Sequence, residues 1–144
     1  MSQENVDLVM SLQRTGDEDF ARLIRDDARW RKLATSAAPL VHADAVSIRP
    51  GVPGATGHVG VEGFRRLWLD WLAPWSEYRT AVEQVFDCGD RVLLLQKSSG
   101  RMGDSAAEVH LSPGVVWTVR DAKIARFEVY ADRADALKAV GLEE

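Results

Sequence analysis

Three histidines, one cysteine, 22 carboxylates and five tryptophans are the side chains of this 144-residue sequence with chemistry to offer. His42 stands just before a β-branched stretch, where a pocket mouth would place a catalytic base; the plainer role is a partly buried structural histidine. His58 falls in a Gly/Pro loop and His110 in a strand-like segment facing outward, so no two histidines have ligand spacing on one face and no metal site is expected. Asp132 opens the last helical stretch and is most simply its N-cap, with Arg133 beside it; the alternative is a relocated acid–base group. Cys88 is alone, which excludes an internal disulfide and a cysteine-based zinc cluster, and its turn offers little to activate a thiolate. The glycines at 51, 54, 57 and 60 lack the G-x-x-x-x-G-K-[ST] order of a phosphate loop. Trp68, Trp71 and Trp75 share one helical stretch and, with Trp30, Trp117 and Phe127, form either a wide apolar pocket wall or an ordinary core. Asp70 lies on the other side of that helix and is expected to be exposed.

Composition limits what those groups can be part of. With 46% apolar and 28% charged residues the chain reads as one globular domain, 1–144, and not as a collagen-like, disordered or disulfide-scaffold protein. A net charge of -4 argues against nucleic acid, which asks for a basic footprint. No run approaches the roughly 20 apolar residues of a membrane span, so no membrane partner is expected. Met-Ser-Gln-Glu-Asn lacks the basic start and apolar run of a secretion signal, so a cytoplasmic protein is expected.

Helices come first. Val6, Val9, Met10 and Gln13 make a helical stripe over 2–14, with Ser2 as cap and Gly16 as stop. Asp17 or Asp19 caps the next helix, whose Phe20, Leu23 and Ile24 share a face, and Pro39 interrupts the stretch that follows. Residues 45–49 alternate as a short strand, whereas four glycines and two prolines within 50–60 exclude regular structure. Helical period returns over 61–75. Strands then follow at 78–86, 91–98, 106–119 and 124–131, joined by short turns that make neighbours antiparallel. A last helix covers 132–140 and stops at Gly141. Helices packed on a curved antiparallel sheet make an α+β fold.

Several phrases carry a resemblance: Met1–Val9, Arg14-Thr-Gly-Asp17, Gly60–Trp68, Asp87–Val92, Val116–Ile124, Phe127–Arg133 and Ala136–Leu142. In this order and spacing the chain resembles the SnoaL-like branch of the nuclear transport factor 2-like superfamily. The resemblance implies a sheet wrapped into a half-open cone closed by helices (the cystatin-like arrangement), a pocket inside, and in many members a homodimer through the outer sheet surface. It also implies a range of activities, among them polyketide cyclases, ketosteroid isomerases, dehydratases and epoxide hydrolases, so fold alone does not assign a reaction.

Those enzymes place a carboxylate, often with a partner, in an apolar cavity. Carried over through Lys123-Ile124, the acid of the cyclases and epoxide hydrolases falls at Val129, and the isomerase base and cyclase histidine fall near Val115. The epoxide hydrolase Arg/Asp pair falls on Gln96-Lys97-Ser98-Ser99, and the isomerase tyrosine on Val9-Met10. None of these is a proton-transfer group of the family. On alternation, Val109, Leu111, Pro113, Val115, Trp117, Phe127, Val129 and Ala131 face inward, while Glu128 and Tyr130 face out.

Three functional readings follow. One is a cofactor-free pocket that binds a small hydrophobic or polycyclic molecule through Trp68, Trp71, Val115, Trp117, Phe127 and Val129. The second is a cyclase, isomerase or dehydratase using relocated His42 or Asp132. The third is a non-catalytic dimerisation domain whose cone is filled by side chains. The Arg120–Lys123 turn carries Ala122 where family members usually have glycine, so an ordinary right-handed turn is expected there.

Overall fold

The computed structural model describes residues 2–13, 17–52 and 57–142; the side chain of Ser2 and the Gly16 helix stop lie outside what it describes. The N-terminal helices are α1 (Ser2–Ser11), α2 (Phe20–Arg25) and α3 (Asp27–Ala37), the last followed by a 3-10 turn, Ala38–Leu40, that contains Pro39. One aspartate separates α2 from α3. Asp26 is extended (φ -84°, ψ 109°), its N–H closes α2 on the Leu23 carbonyl, and its carboxylate accepts from Ala28 N at 3.0 Å and Arg29 N at 3.1 Å to open α3. Asp19 caps α2 in the same way, so of the two aspartates expected there Asp19 is the one used.

The remaining elements are β1 (Val41–Ile48), β2 (His58–Val59), α4 (Gly60–Leu72), β3 (Trp75–Cys88), β4 (Arg91–Met102), β5 (Val109–Leu111), β6 (Gly114–Arg120), β7 (Lys123–Tyr130) and α5 (Arg133–Ala139). The sheet order is β2-β1-β7-β6-β4-β3, with β5 on β4. Three details depart from the sequence reading. His58-Val59, inside the segment expected to lack structure, pairs with β1. Trp75 begins β3 and does not end α4, because α4 stops at Leu72. The stretch expected as one strand from 106 to 119 is two, β5 and β6, broken at Ser112-Pro113. Pairing is antiparallel except for β1 on β7, which is parallel. No hairpin joins those two strands, so no tight turn dictates their relative direction.

Alternation along the strands builds two cores. Val92, Leu94, Val115, Trp117, Phe127 and Val129 face one side and meet Ile24, Leu67, Trp68 and Leu72 from the helices. Leu93, Leu95 and Val116 face the other side and are covered by Ala136 and Val140 at the C-terminal helix. There α5 lies directly on backbone, since a Cβ at Gly114 would run into that of Ala136. The inward assignment of Val115, Trp117, Phe127 and Val129 therefore holds, and Ala131 is the exception, being exposed past the end of β7. Glu128 and Tyr130 sit with the outer core, hydrogen-bonded to each other at 2.9 Å. Burial, and then the adjoining Glu128 carboxylate, push the Tyr130 phenol up to about 12.

The β6–β7 turn overturns one expectation. Asp121 (φ 53°) and Ala122 (φ 62°) are both left-handed, and Arg120 pairs with Lys123 across them. A two-residue hairpin needs this primed geometry to match the right-handed twist of its strands, and that demand overrides the Cβ penalty at Ala122. Ala122→Gly should therefore stabilise the fold by up to about 1 kcal/mol, less the entropy that glycine costs, and raise the melting midpoint by about 3 °C. A calorimetric midpoint that falls would contradict the strain assigned to this turn.

Candidate functional site

Two arginines and an aspartate hold the helices over the inner face of the sheet. Arg25 Nη2 donates to the carbonyls of Leu72 at 2.6 Å and Trp75 at 2.7 Å, tying α2 to the end of α4 and the start of β3. Arg65 on α4 donates from Nε to Ile24 O at 3.0 Å and from Nη2 to Asp27 Oδ1 at 2.7 Å. The Arg65 guanidinium holds the Asp27 carboxyl below its ordinary range. Asp19, besides capping α2, accepts from Tyr78 N at 3.1 Å. Guanidinium bonds to backbone carbonyls are directional and charge-assisted, so they fix where the helices sit.

Between those helices and the sheet lies a chamber of about 210 Å³. Phe20, Leu23 and Ile24 of α2 and Trp30 and Leu33 of α3 form its roof. Ala45 and Ser47 of β1, Val61 and Phe64 of α4, and Trp117 and Phe127 of the sheet close the sides and floor. Apart from the hydroxyls of Ser11, Ser36 and Ser47 these walls are apolar, and among the described residues no ionisable side chain lines them. Trp30 divides the chamber from an open groove that carries Asp27, Arg31, Glu62 and Arg65. Its indole is held on that side, with Nε1 donating to Glu62 Oε2 at 2.7 Å and Arg65 over the ring at 5.8 Å.

A second chamber of about 50 Å³ shares Leu12, Phe20, Phe64, Trp117 and Phe127 with the first. Thr80 and Val82 of β3, Gln96 of β4 and Trp68 of α4 complete it, with Gln13 at the end of the first helical segment. Here the inner face of the sheet turns polar. Thr80 Oγ1 lies 2.7 Å from Ser98 Oγ and donates to Gln96 Oε1 at 3.3 Å, while Tyr78 lies behind them beside Ser98 and Trp71. Burial raises the Tyr78 phenol, and the neighbouring Ser98 hydroxyl and Trp71 indole offset part of that rise. Gln96 and Ser98 are 5% and 2% exposed; the sequence reading met them only where the epoxide hydrolase Arg/Asp pair is lacking and gave them no role. Their signal was parity, since Leu94 and Val92 of the same strand face inward two and four residues before Gln96. It was masked because Leu93 and Leu95 are apolar too, so β4 shows no alternation until its far face is known to lie under α5.

Of the residues expected to line a pocket, Trp117 and Phe127 border both chambers and Trp68 borders the smaller one. Trp71, Val115 and Val129 are packed in the inner core and border neither. His42 is outside both chambers, with Nε2 at 2.6 Å from the Arg120 carbonyl. Asp132 caps α5, accepting from Ala134 N at 2.9 Å. His58 is 3.5 Å from Asp70, which is exposed, and His110 pairs with Glu108 at 3.1 Å on the surface. Burial pushes the Cys88 thiol up, opposite to what a nucleophile needs. Among the described residues no group of three or more His, Cys, Asp and Glu is placed to hold a metal ion, and no helix is long and apolar enough to cross a membrane.

Residues 9–127 match the family model of the SnoaL-like domain. The chain belongs to the SnoaL-like domain family. Solved structures share its nuclear transport factor 2-like fold. One is a protein from Jannaschia sp. CCS1 assigned as a SnoaL-like polyketide cyclase, with 18% identity over 99% of this chain and 94% of that one and a TM-score of 0.64. A second is TerC co-crystallised with polyporic acid, with 17% identity over 95% and 98% of the two chains and a TM-score of 0.61. A third is a nuclear transport factor 2-like protein of unknown function from Burkholderia pseudomallei K96243, with 15% identity over 96% and 98% and a TM-score of 0.61. No curated protein matches the chain at a significant level.

The chamber in this SnoaL-like fold makes a packing prediction. Ala45 (4% exposed) lines it, whereas Ala21 (0% exposed) is packed in the inner core and does not. Ala45→Leu should cost less than about 1 kcal/mol, because the added carbons enter free space, and Ala21→Leu should cost about 1–3 kcal/mol by overpacking. Urea unfolding of the two variants checks this, and equal losses would mean that the chamber is closed in solution.

Proposed function

We propose that this SnoaL-like protein binds a small neutral hydrophobic molecule in the larger chamber, without the acid–base pair that the family's enzymes use. The observation that carries the reading is a chamber of about 210 Å³ whose lining among the described residues includes no ionisable side chain. An apolar cavity of about 150 Å³ takes a benzene-sized guest, so this one suits one or two fused rings and is tight for a larger polycycle. Aromatic walls favour a flat guest: Trp117 and Phe127 meet edge to face with centroids 4.4 Å apart, and Phe64 lies 4.7 Å from Phe127. TerC, of the same fold, was co-crystallised with a small organic molecule, polyporic acid. His42 and Asp132, the groups on which a relocated catalytic site would rest, are engaged away from the chamber.

Mass spectrometry of natively purified protein should find a neutral compound of about ten carbons, and tetralin (tetrahydronaphthalene) should bind by calorimetry. Ala45→Trp should abolish that binding while the far-ultraviolet spectrum stays native. Failure of tetralin and of single-ring analogues to bind the folded protein would defeat the reading.

We also propose a homodimer formed through the outer face of β3 and β4, where Lys97 and Ser99 continue the side of β4 that carries Leu93 and Leu95. Sedimentation velocity should give about twice the 15.9 kDa chain mass. A monomer at micromolar concentration would remove the dimer and leave the ligand proposal intact.

A further inference from the structure

The smaller chamber is bordered by Gln96, Trp68 and Trp117, each of which carries a side-chain N–H without an acceptor among the described residues. Gln96 is 5% exposed; its Oε1 is taken by Thr80, and among the described residues its Nε2 has no hydrogen-bond partner. The indole Nε1 atoms of Trp68 and Trp117, which border the same space, are also buried and unpartnered. Backbone bonds hold Gln96 in place on both sides: its N–H donates to Pro113 O at 3.0 Å, and its carbonyl accepts from Arg133 Nη2 at 2.9 Å. The Thr80–Ser98 contact orients the carboxamide from behind. A buried donor left unsatisfied costs about 1–3 kcal/mol, so an acceptor that reached these groups would be favoured. The chamber has room for one. No cation borders it among the described residues, so a buried anion would go unpaired, whereas a neutral oxygen acceptor meets no such penalty.

We infer that the Gln96 carboxamide is a specificity-determining group that receives a neutral carbonyl or ether oxygen of the ligand, with the ring system of that ligand in the larger chamber beyond the shared Phe20, Phe64, Trp117 and Phe127. This rests on the ligand reading above and adds the chemistry of one end of the molecule. The guest is then a cyclic ketone, quinone or aryl ether, and a bare hydrocarbon lacks the group that Gln96 selects.

The test compares 1-tetralone with tetralin by calorimetry on the full chain and on Gln96→Leu, which keeps the volume and removes the donor. The ratio of ketone to hydrocarbon affinity should fall about tenfold in the variant, with tetralin affinity changed less than twofold. In wild-type protein the carbonyl stretch of bound 1-tetralone should lie below its position in cyclohexane, a readout that does not need the variant to fold. An unchanged ratio, or a stretch equal to that in cyclohexane, overturns the role of Gln96 while tetralin binding upholds the apolar pocket. Binding of 1-tetralol without 1-tetralone also overturns it, because the amide would then present its oxygen. Absence of binding by all three compounds overturns the ligand reading and this inference together.

Discussion

The interior depends on an aromatic prop. Phe64 of α4 stands on Trp117 and Phe127 of the sheet, with centroids 5.9 and 4.7 Å away, and Trp68 one turn on meets Phe127 at 5.9 Å. Rings this wide keep α4 at a set height above β6 and β7. Helix α2 is then pinned at that height by Arg25 and Arg65 through backbone carbonyls, and α3 by Arg65 through the Asp27 carboxylate, so they cannot settle further onto the sheet. Close-packed interiors leave few voids larger than a water molecule, so a chamber of this size needs rigid walls to persist. Rigid aromatic rings and directional guanidinium bonds supply them.

That arrangement explains which parts of the molecule could be read from sequence. Strand parity gave the inner face of β6 and β7 correctly, because polar residues such as Thr118 and Arg126 alternate with apolar ones there. On β4 it gives no reading, because both faces are buried and Leu93 and Leu95 hide the change of side. The tryptophans were rightly placed in the interior, but periodicity cannot separate a ring that lines a space from one that fills it; Trp71 and Trp117 look alike in sequence and differ in that respect. The roof was missed altogether. Leu23, Ile24 and Leu33 read as ordinary helix faces, and only the bend at Asp26 turns them toward a common space.

The missed elements have a shared cause. Pairing of β1 with β7, the two-residue strand β2 and the left-handed turn at Asp121-Ala122 are each set by tertiary partners. Local composition argued for a loop at 58–59 and a right-handed turn at 121–122. Sheet twist and strand pairing outweigh it, since one strained φ costs about 1–2 kcal/mol while misjoined strands would lose the whole β6–β7 ladder.

Polarity is graded across the site by single side chains. Trp30 presents one face to the chamber and its N–H to Glu62 in the outer groove, so charged groups lie behind an indole from the apolar space. Moving inward, the walls are hydrocarbon and aromatic apart from three serine hydroxyls until Gln96 and Thr80, backed by Ser98, where neutral hydrogen-bonding groups gather without charge. A guest that carries an ion would have to be desolvated at Trp30 and would meet no counter-charge among the described residues of either chamber. A fully apolar guest would satisfy the first chamber and leave the donors of the second unpaired. Selection for a neutral molecule with one polar end therefore needs no moving part and no titrating group; it follows from the order in which these walls are met.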